Sequence, residues 1–442
     1  MLIRSLLALS FAFVLTGHTS ASPGLRDATP CPNAAGYTCS TLDVPLDHSG
    51  HAPGTLHLSV AAADNVHAPR GVLLIIAGGP GQSAVPIVQR FADKALAAEK
   101  SQYRIVAYDQ RGTGAGALDC PALQRQMGAS DLYPPTAAAV RACSAKLGSN
   151  RQFFGTDDVV SDMEALRKSL GVEKWTLDGI SYGSYVGERY ALAYPQHVQK
   201  LVLDSVVPQV GETDLGVVEF HATARVLKSV CGKACVSDLA AVVKRYHDGT
   251  ALLDALTTDS VADPTYRLYY NVPDALQLAR HGDTSLLDAF VNGMHAGDEA
   301  PADALDQGLH ASALCADWRY PWGDSTAPLA GREAALKRAI ARLPASAFYP
   351  FDASTASGNG FVRQCLPWAP TPATPLPRGK ITVPTLLVNG DHDLSTPLEW
   401  ARSELGYTTN GKLVVVPGAG HSTQSRSTGN VSRNAVRQFL LG

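Results

Sequence analysis

"WTLDGISYGSYVGERY", residues 175–190, decides how the rest of the chain is read. Apolar and β-prone residues lead to Ser181, which stands between Gly179 and Gly183, and a helical pattern follows. A strand turning sharply into a helix at such a Gly-x-Ser-x-Gly corner exposes the serine oxygen at the carboxyl edge of a sheet. A Cβ at either flanking position would hinder that turn. The helix start also aims unpaired N–H groups at the space beside the serine, where they stabilise negative charge. Glycine-rich turns are common, so the strand before, the helix after and the partners further along must carry the case.

The neighbouring segments supply that setting. Strand patterns fall on 55–63, on the continuous apolar run 71–79, on 103–112, on "KWTLDGIS" (174–181) and on "KLVLDSVV" (200–207). Helical patterns fall on 83–98 and on "DDVVSDMEALRKSLG" (157–171), with Thr156 as its expected N-cap and Val160, Met163, Leu166 and Leu170 near one face. This alternation predicts an α/β class with a mostly parallel central sheet flanked by helices. From 207 to 378 the strand signals give way to Ala/Leu/Asp-rich helical patterns, read as an α-rich cap inserted after the strand that follows the serine's helix. "ITVPTLLVNG" (381–390) and "GKLVVVPG" (411–418) restore buried-strand character. The expected organisation is a signal peptide at 1–21, a core at 22–206 and 379–442, and a cap at 207–378.

The signal expectation rests on Arg4, on the apolar run "SLLALSFAFVLTG", too short to span a bilayer comfortably, and on the small residues Thr19, Ser20 and Ala21. It implies a secreted or periplasmic protein with no membrane attachment after cleavage. The 442 residues are 45% hydrophobic and 17% charged with net charge −3, and no basic run invites a nucleic acid or an anionic membrane. Eight cysteines in an exported chain point to disulfides. Sequence alone does not determine their connectivity; proximity favours Cys31–Cys39, Cys120–Cys143, Cys231–Cys235 and Cys315–Cys365. Cys231-x-x-x-Cys235 resembles half a metal site, but no second close Cys/His pair follows, so no metal or other cofactor is expected.

A serine hydroxyl is a weak nucleophile without a base. In this architecture the acid and then the base follow the serine in the chain. Asp393 in "VNGDHDLSTP" and His421 in "VVPGAGHST" each lie just past a buried strand, at the same sheet edge as Ser181. Asp391 competes for the acid role; loop capping by either aspartate and a solvated histidine are the plain alternatives. Thr396-Pro397-Leu398-Glu399 reads as a capping box with proline at the first helical position. For an oxyanion, the amide of Tyr182 is one expected donor, and the loop "AGGPG" (77–81), with Gly79, is the other.

With these residues in place the chain resembles the α/β-hydrolase superfamily, and more narrowly the prolyl aminopeptidase and secreted tripeptidyl aminopeptidase family of serine exopeptidases. The matching stretches are "AGGPGQS" (77–83), "AYDQRGTG" (107–114), "GISYGSYVGERYA" (179–191), "LLVNGDHDLSTP" (386–397) and "PGAGHS" (417–422), with "CADW" (315–318) and "CLPW" (365–368) in the insertion. The resemblance implies the α/β-hydrolase fold. It implies a triad of Ser181, Asp393 and His421, oxyanion donors at Gly79 and Tyr182, and structural or site-shaping roles for Asp109 and Arg111. It further implies peptide substrates, cleaved through an acyl-enzyme to release N-terminal residues or short oligopeptides such as tripeptides. Acidic groups of the cap would hold the free amino group, with Asp317 and Glu212 foremost among acids that include Asp214 and Glu219. One departure is Ala77, where the family's H-G-G-P-G places histidine. A carboxylesterase or lipase-like enzyme on the same triad and a non-catalytic binding protein are the alternatives.

Overall fold

The apolar runs pair into one nine-stranded sheet of order β1-β2-β3-β5-β4-β6-β7-β8-β9. The strands are β1 (Leu25–Pro30), β2 (Tyr37–Pro45), β3 (Thr55–Ala63), β4 (Val72–Ile76), β5 (Arg104–Tyr108), β6 (Trp175–Ile180), β7 (Val198–Asp204), β8 (Thr385–Gly390) and β9 (Gly411–Val416). The structure is a computed structural model and describes residues 24–211, 213–246, 248–262, 271–297, 299–375 and 379–442. The expected signal peptide at 1–21 and Glu212 lie outside the described residues.

Strands β5, β4, β6, β7, β8 and β9 run parallel, and β1, β2 and β3 extend the sheet antiparallel. Every residue of β4, β6 and β8 is buried, as strands covered by helices on both faces must be. β1 and β2 are absent from the sequence reading. β1 is exposed or half-buried, and β2 sets the buried Tyr37, Leu42 and Val44 among half-buried Thr, Ser and Asp residues, so neither carries a continuous apolar run. The chain passes from β4 out to β5 and then back across β4 to β6, so the sheet reverses its winding at β4. Ligands of open α/β sheets gather at the carboxyl ends beside such a point.

Between β7 and β8 the described elements are helices, from Val217–Tyr246 to Gly360–Cys365. Their packing divides this segment. Val226, Leu239, Leu253, Leu276 and Phe290 form a cluster of their own, whereas Leu314, Trp318, Tyr320, Cys365 and Trp368 belong to the main core beside β6 and β7. Disulfides join Cys31–Cys39, Cys120–Cys143, Cys231–Cys235 and Cys315–Cys365, the pairing that proximity favours. No described helix is long and apolar enough to cross a membrane.

Two capping expectations are corrected. Thr156 is the first residue of the helix Thr156–Ser169, which Gly155 precedes as N-cap, and its hydroxyl bonds Asp317 and Tyr182 instead. Thr396 caps nothing: the next helix is Leu398–Leu405, Pro397 precedes it, and Glu399 pairs with Arg225 at 2.7 Å.

Candidate active site

Ser181 sits between β6 and the helix Tyr182–Ala193 with φ 57° and ψ −128°. This is a region that L-residues occupy only when their surroundings force it. The flanking glycines serve a different need. A Cβ on Gly179 would strike the Gly183 carbonyl, and one on Gly183 would strike the Ile76 carbonyl. The serine itself takes the positive φ, and the glycines let three backbone segments touch. Its N–H donates to the Asp204 carbonyl at 2.9 Å, which fixes the corner to the end of β7.

The loop after β4 lies against the serine. A Cβ on Gly78 would sit 2.9 Å from the Ser181 Cβ. Gly79 has φ +102°, a conformation open to glycine, and a cis bond joins it to Pro80. The 107–114 stretch holds this loop in place. Gln110 Nε2 donates to the Ala77 carbonyl at 3.0 Å, and Asp109 Oδ1 accepts from the amides of Ala84 (2.8 Å) and Val85 (2.9 Å). Arg111 is fully buried and binds Asp162 through Nε at 2.7 Å and Nη2 at 2.6 Å, so its place is structural.

Asp393 and His421 come together at the ends of β8 and β9. His421 Nδ1 lies 3.0 Å from Asp393 Oδ2. The buried carboxylate also accepts from the amides of Ser395 and Thr396, both at 2.9 Å, and from Thr396 Oγ1 at 2.8 Å. Burial alone would raise its pKa; the His421 charge and hydrogen bond and the two Thr396 bonds overcome that and hold it below the usual carboxylate range. Thr396 Oγ1 is also 3.2 Å from His421 Nδ1, so one hydroxyl touches both partners. Asp391 is turned elsewhere, accepting from the Gly418 amide at 2.7 Å. Behind His421, Ser205 Oγ accepts from the Ser422 amide at 2.7 Å, and the Asp204 carboxylate accepts from the amides of Thr423 (3.0 Å) and Gln424 (2.8 Å). A negative charge at the start of the short helix Thr423–Arg426 thus fixes the histidine loop.

Ser181 and His421 line one cavity of about 450 Å³, together with Gly79 and Ser395. No hydrogen bond joins Ser181 to His421 among the described residues. Such contacts often tighten only with substrate. Asp131, Asp254 and Ser130 line the same cavity. The Ser130 hydroxyl donates to Asp254. Asp131 Oδ1 stands 3.1 Å from Nε2 of the buried His310. Burial pushes the Asp254 carboxyl up to about 6, the Ser130 bond opposing and the Asp131 charge adding. A smaller apolar recess beside Ser181 is lined by Leu314, Trp318, Phe361 and Trp400.

Of the acids expected to hold an amino group, the described ones, Asp317, Asp214 and Glu219, do not line this cavity. Asp317 is fully buried and accepts from the Thr156 amide at 2.9 Å; burial pushes it up to about 6. Asp214 accepts from the amides of Gly216 and Val218, and Glu219 is buried. Asp131, Asp254 and Thr396 are the residues that sequence reasoning missed. Asp131 and Asp254 follow no motif. Thr396 stands inside "DLSTP", where its spacing to Glu399 reads as a capping box, and its hydroxyl donates to Asp393 instead.

The sheet order, the serine corner and the Asp393–His421 contact define an α/β-hydrolase fold. The α/β-hydrolase-fold family matches residues 71–224, and the TAP-like protein family matches residues 349–442. Among the chain's relatives is the tripeptidyl aminopeptidase of Streptomyces lividans, 29% identical over 188 residues, 38% of this chain and 35% of that protein. Serine protease Hip1 of Mycobacterium tuberculosis is 24% identical over 479 residues, 94% of this chain and 88% of that protein. The probable proline iminopeptidase of Streptomyces coelicolor is 33% identical over 150 residues, 34% of this chain and 36% of that protein. The matched stretch thus spans about a third of each Streptomyces relative and most of the mycobacterial one.

Proposed function

We propose that this protein is a secreted serine aminopeptidase that releases N-terminal residues or short oligopeptides from peptides. Ser181 attacks the scissile carbonyl, His421 takes the serine proton and returns it to the leaving amine, and Asp393 holds the imidazole with its proton on Nδ1. The developing oxyanion lies between the amides of Gly79 and Tyr182, the latter at the start of its helix. The missing histidine at Ala77 costs no backbone donor, and Gln110 secures the loop from below through its bond to the Ala77 carbonyl. Water then repeats the sequence on the acyl-enzyme.

The observation that carries the reading is the shared cavity. The serine, the histidine and a pair of carboxylates, Asp131 and Asp254, face the same space. The Asp131 carboxylate is near enough to add to the rise of Asp254, and a substrate's α-ammonium in this cavity would hold Asp254 ionised. Asp131 and Asp254 therefore take the role that the resemblance gives to Asp317, which is buried against Thr156. The relatives named as peptidases support the same class. The homologous ends of the chain, 71–224 and 349–442, contain the serine, the acid and the base.

The test is a peptide library with free and acetylated amino termini, its products identified by mass. Free termini should be cleaved and acetylated ones should resist. KM should rise as pH falls through about 6, where Asp254 takes up a proton. Equal cleavage of both peptide sets would remove the ammonium site. Hydrolysis confined to simple esters would favour the esterase alternative, and a folded protein with no Ser181-dependent turnover would favour a binding protein.

A further inference from the structure

A second cavity, of about 370 Å³, adjoins the first on the side covered by the helix Val88–Ala95. The two share Gln82, Ile180, Ser422 and Arg426. Three cationic side chains, Arg90, Lys94 and Arg426, line the second. Arg90 and Lys94 are exposed and one helical turn apart, and neither forms an ion pair among the described residues. Asp93, the acid between them in sequence, pairs with Lys100 at 2.7 Å. Arg426 feels the charge of Arg90 and also those of Asp393 and Asp204. Arg90 and Lys94, one turn apart on their helix, repel each other, and a bound anion would offset that repulsion.

The position of this cluster follows from the chemistry of the first cavity. His421 delivers its proton to the leaving amine, so the leaving portion lies on the histidine's side of Ser181. Ser422, next to His421, and Arg426, at the end of the short helix that follows, line both cavities. The acyl portion, whose ammonium the proposal assigns to Asp131 and Asp254, then points away from that cavity, since neither acid lines it. We infer that Arg90, Lys94 and Arg426 bind the α-carboxylate of the leaving portion, so that the enzyme reads both charged ends of a short, zwitterionic peptide. This inference rests on the peptidase proposal above and narrows its substrates to oligopeptides with a free carboxyl terminus.

The experiment compares kcat/KM for peptides of one sequence, four to six residues long, ending in a free acid or an amide. It uses the full chain and the double variant Arg90→Gln/Lys94→Gln, with matched thermal melting. The full chain should favour the acid by about fivefold, the size expected of two part-exposed charge contacts. In the double variant that ratio should approach one. A ratio near one in the full chain, or an unchanged ratio in the variant, overturns the carboxylate site and leaves the peptidase standing. Asp131→Asn should instead slow the acid and amide forms alike, which separates the two ends. If no peptide with a free amino terminus is cleaved, both proposals fall.

Discussion

Replacing Asp393 with asparagine isolates the role of one charge. The carboxylate is fully buried, and its two oxygens have different duties. Oδ1 accepts from the amides of Ser395 and Thr396 at 2.9 Å, and an asparagine carbonyl can keep both bonds. The amide NH₂ must then replace Oδ2, which faces Thr396 Oγ1 at 2.8 Å and His421 Nδ1 at 3.0 Å. The threonine hydroxyl can rotate to accept. The imidazole can accept only as the tautomer with its proton on Nε2, the nitrogen that has to receive the serine proton. The backbone bonds survive and the base is disabled, so the fold should persist while turnover collapses. The same exchange in a Ser-His-Asp triad lowers kcat about 10⁴-fold, or about 5.4 kcal/mol at 1.36 kcal/mol per tenfold. The assay is kcat on a peptide that Ser181→Ala fails to cleave, with far-ultraviolet circular dichroism to verify folding. Asp391→Asn serves as the control, since Asp391 touches the Gly418 amide and not His421. Activity within tenfold of the parent in folded Asp393→Asn, or a large loss in Asp391→Asn alone, would refute the assignment.

Thr396→Val removes the hydroxyl that touches both Asp393 and His421; a hydrogen bond to a charged group is worth about 1.5–3 kcal/mol, so kcat should fall roughly tenfold to a hundredfold with KM little changed, read by steady-state kinetics. Cys315→Ser with Cys365→Ser opens a crosslink between residues 50 apart in sequence, which should cost up to about 4 kcal/mol in urea unfolding, provided thiol titration of the parent finds the bond formed. Asp178 is buried in β6 and pushed up to about 8, chiefly by burial, opposed by the Gln424 bond and reinforced by Asp204 and Glu99. Its folded value is raised, so the fold keeps a proton that the unfolded chain loses near pH 4. Stability should therefore decline between about pH 4 and 8, by up to about 1.4 kcal/mol per pH unit for one such group. Asp178→Asn should flatten that slope in unfolding measured across the range; a slope unchanged by the substitution would show that other groups set it.

Much of this architecture was legible along the chain. β3 spans the residues read as a strand, 55–63, and β4 through β9 lie within or nearly within their predicted runs; β4, β6 and β8 are legible because strands buried on both faces must be continuously apolar, and the edge strand β9 because its Leu-Val-Val-Val run is apolar although part-exposed. The loops that follow β6, β8 and β9 carry Ser181, Asp393 and His421, so a rule about strand ends was enough to nominate them. Disulfide pairing followed from short separations. β1, at the sheet edge, and β2, whose buried residues are Tyr37, Leu42 and Val44, were not legible, because neither carries a continuous apolar run.

The amino-acid sequence by itself determined where the backbone turns and which reactive groups stand at those turns, because periodicity, glycine corners and strand termini are local. Only the tertiary structure decided which acids face the site. Asp317 looked as promising as any, yet folding turns it onto Thr156, while Asp131 and Asp254, 123 residues apart and marked by nothing nearby, meet beside Ser130 in the cavity. Whether a carboxylate is solvated, buried or aimed at a ligand depends on neighbours supplied by distant segments, and that information exists only once the helices have packed.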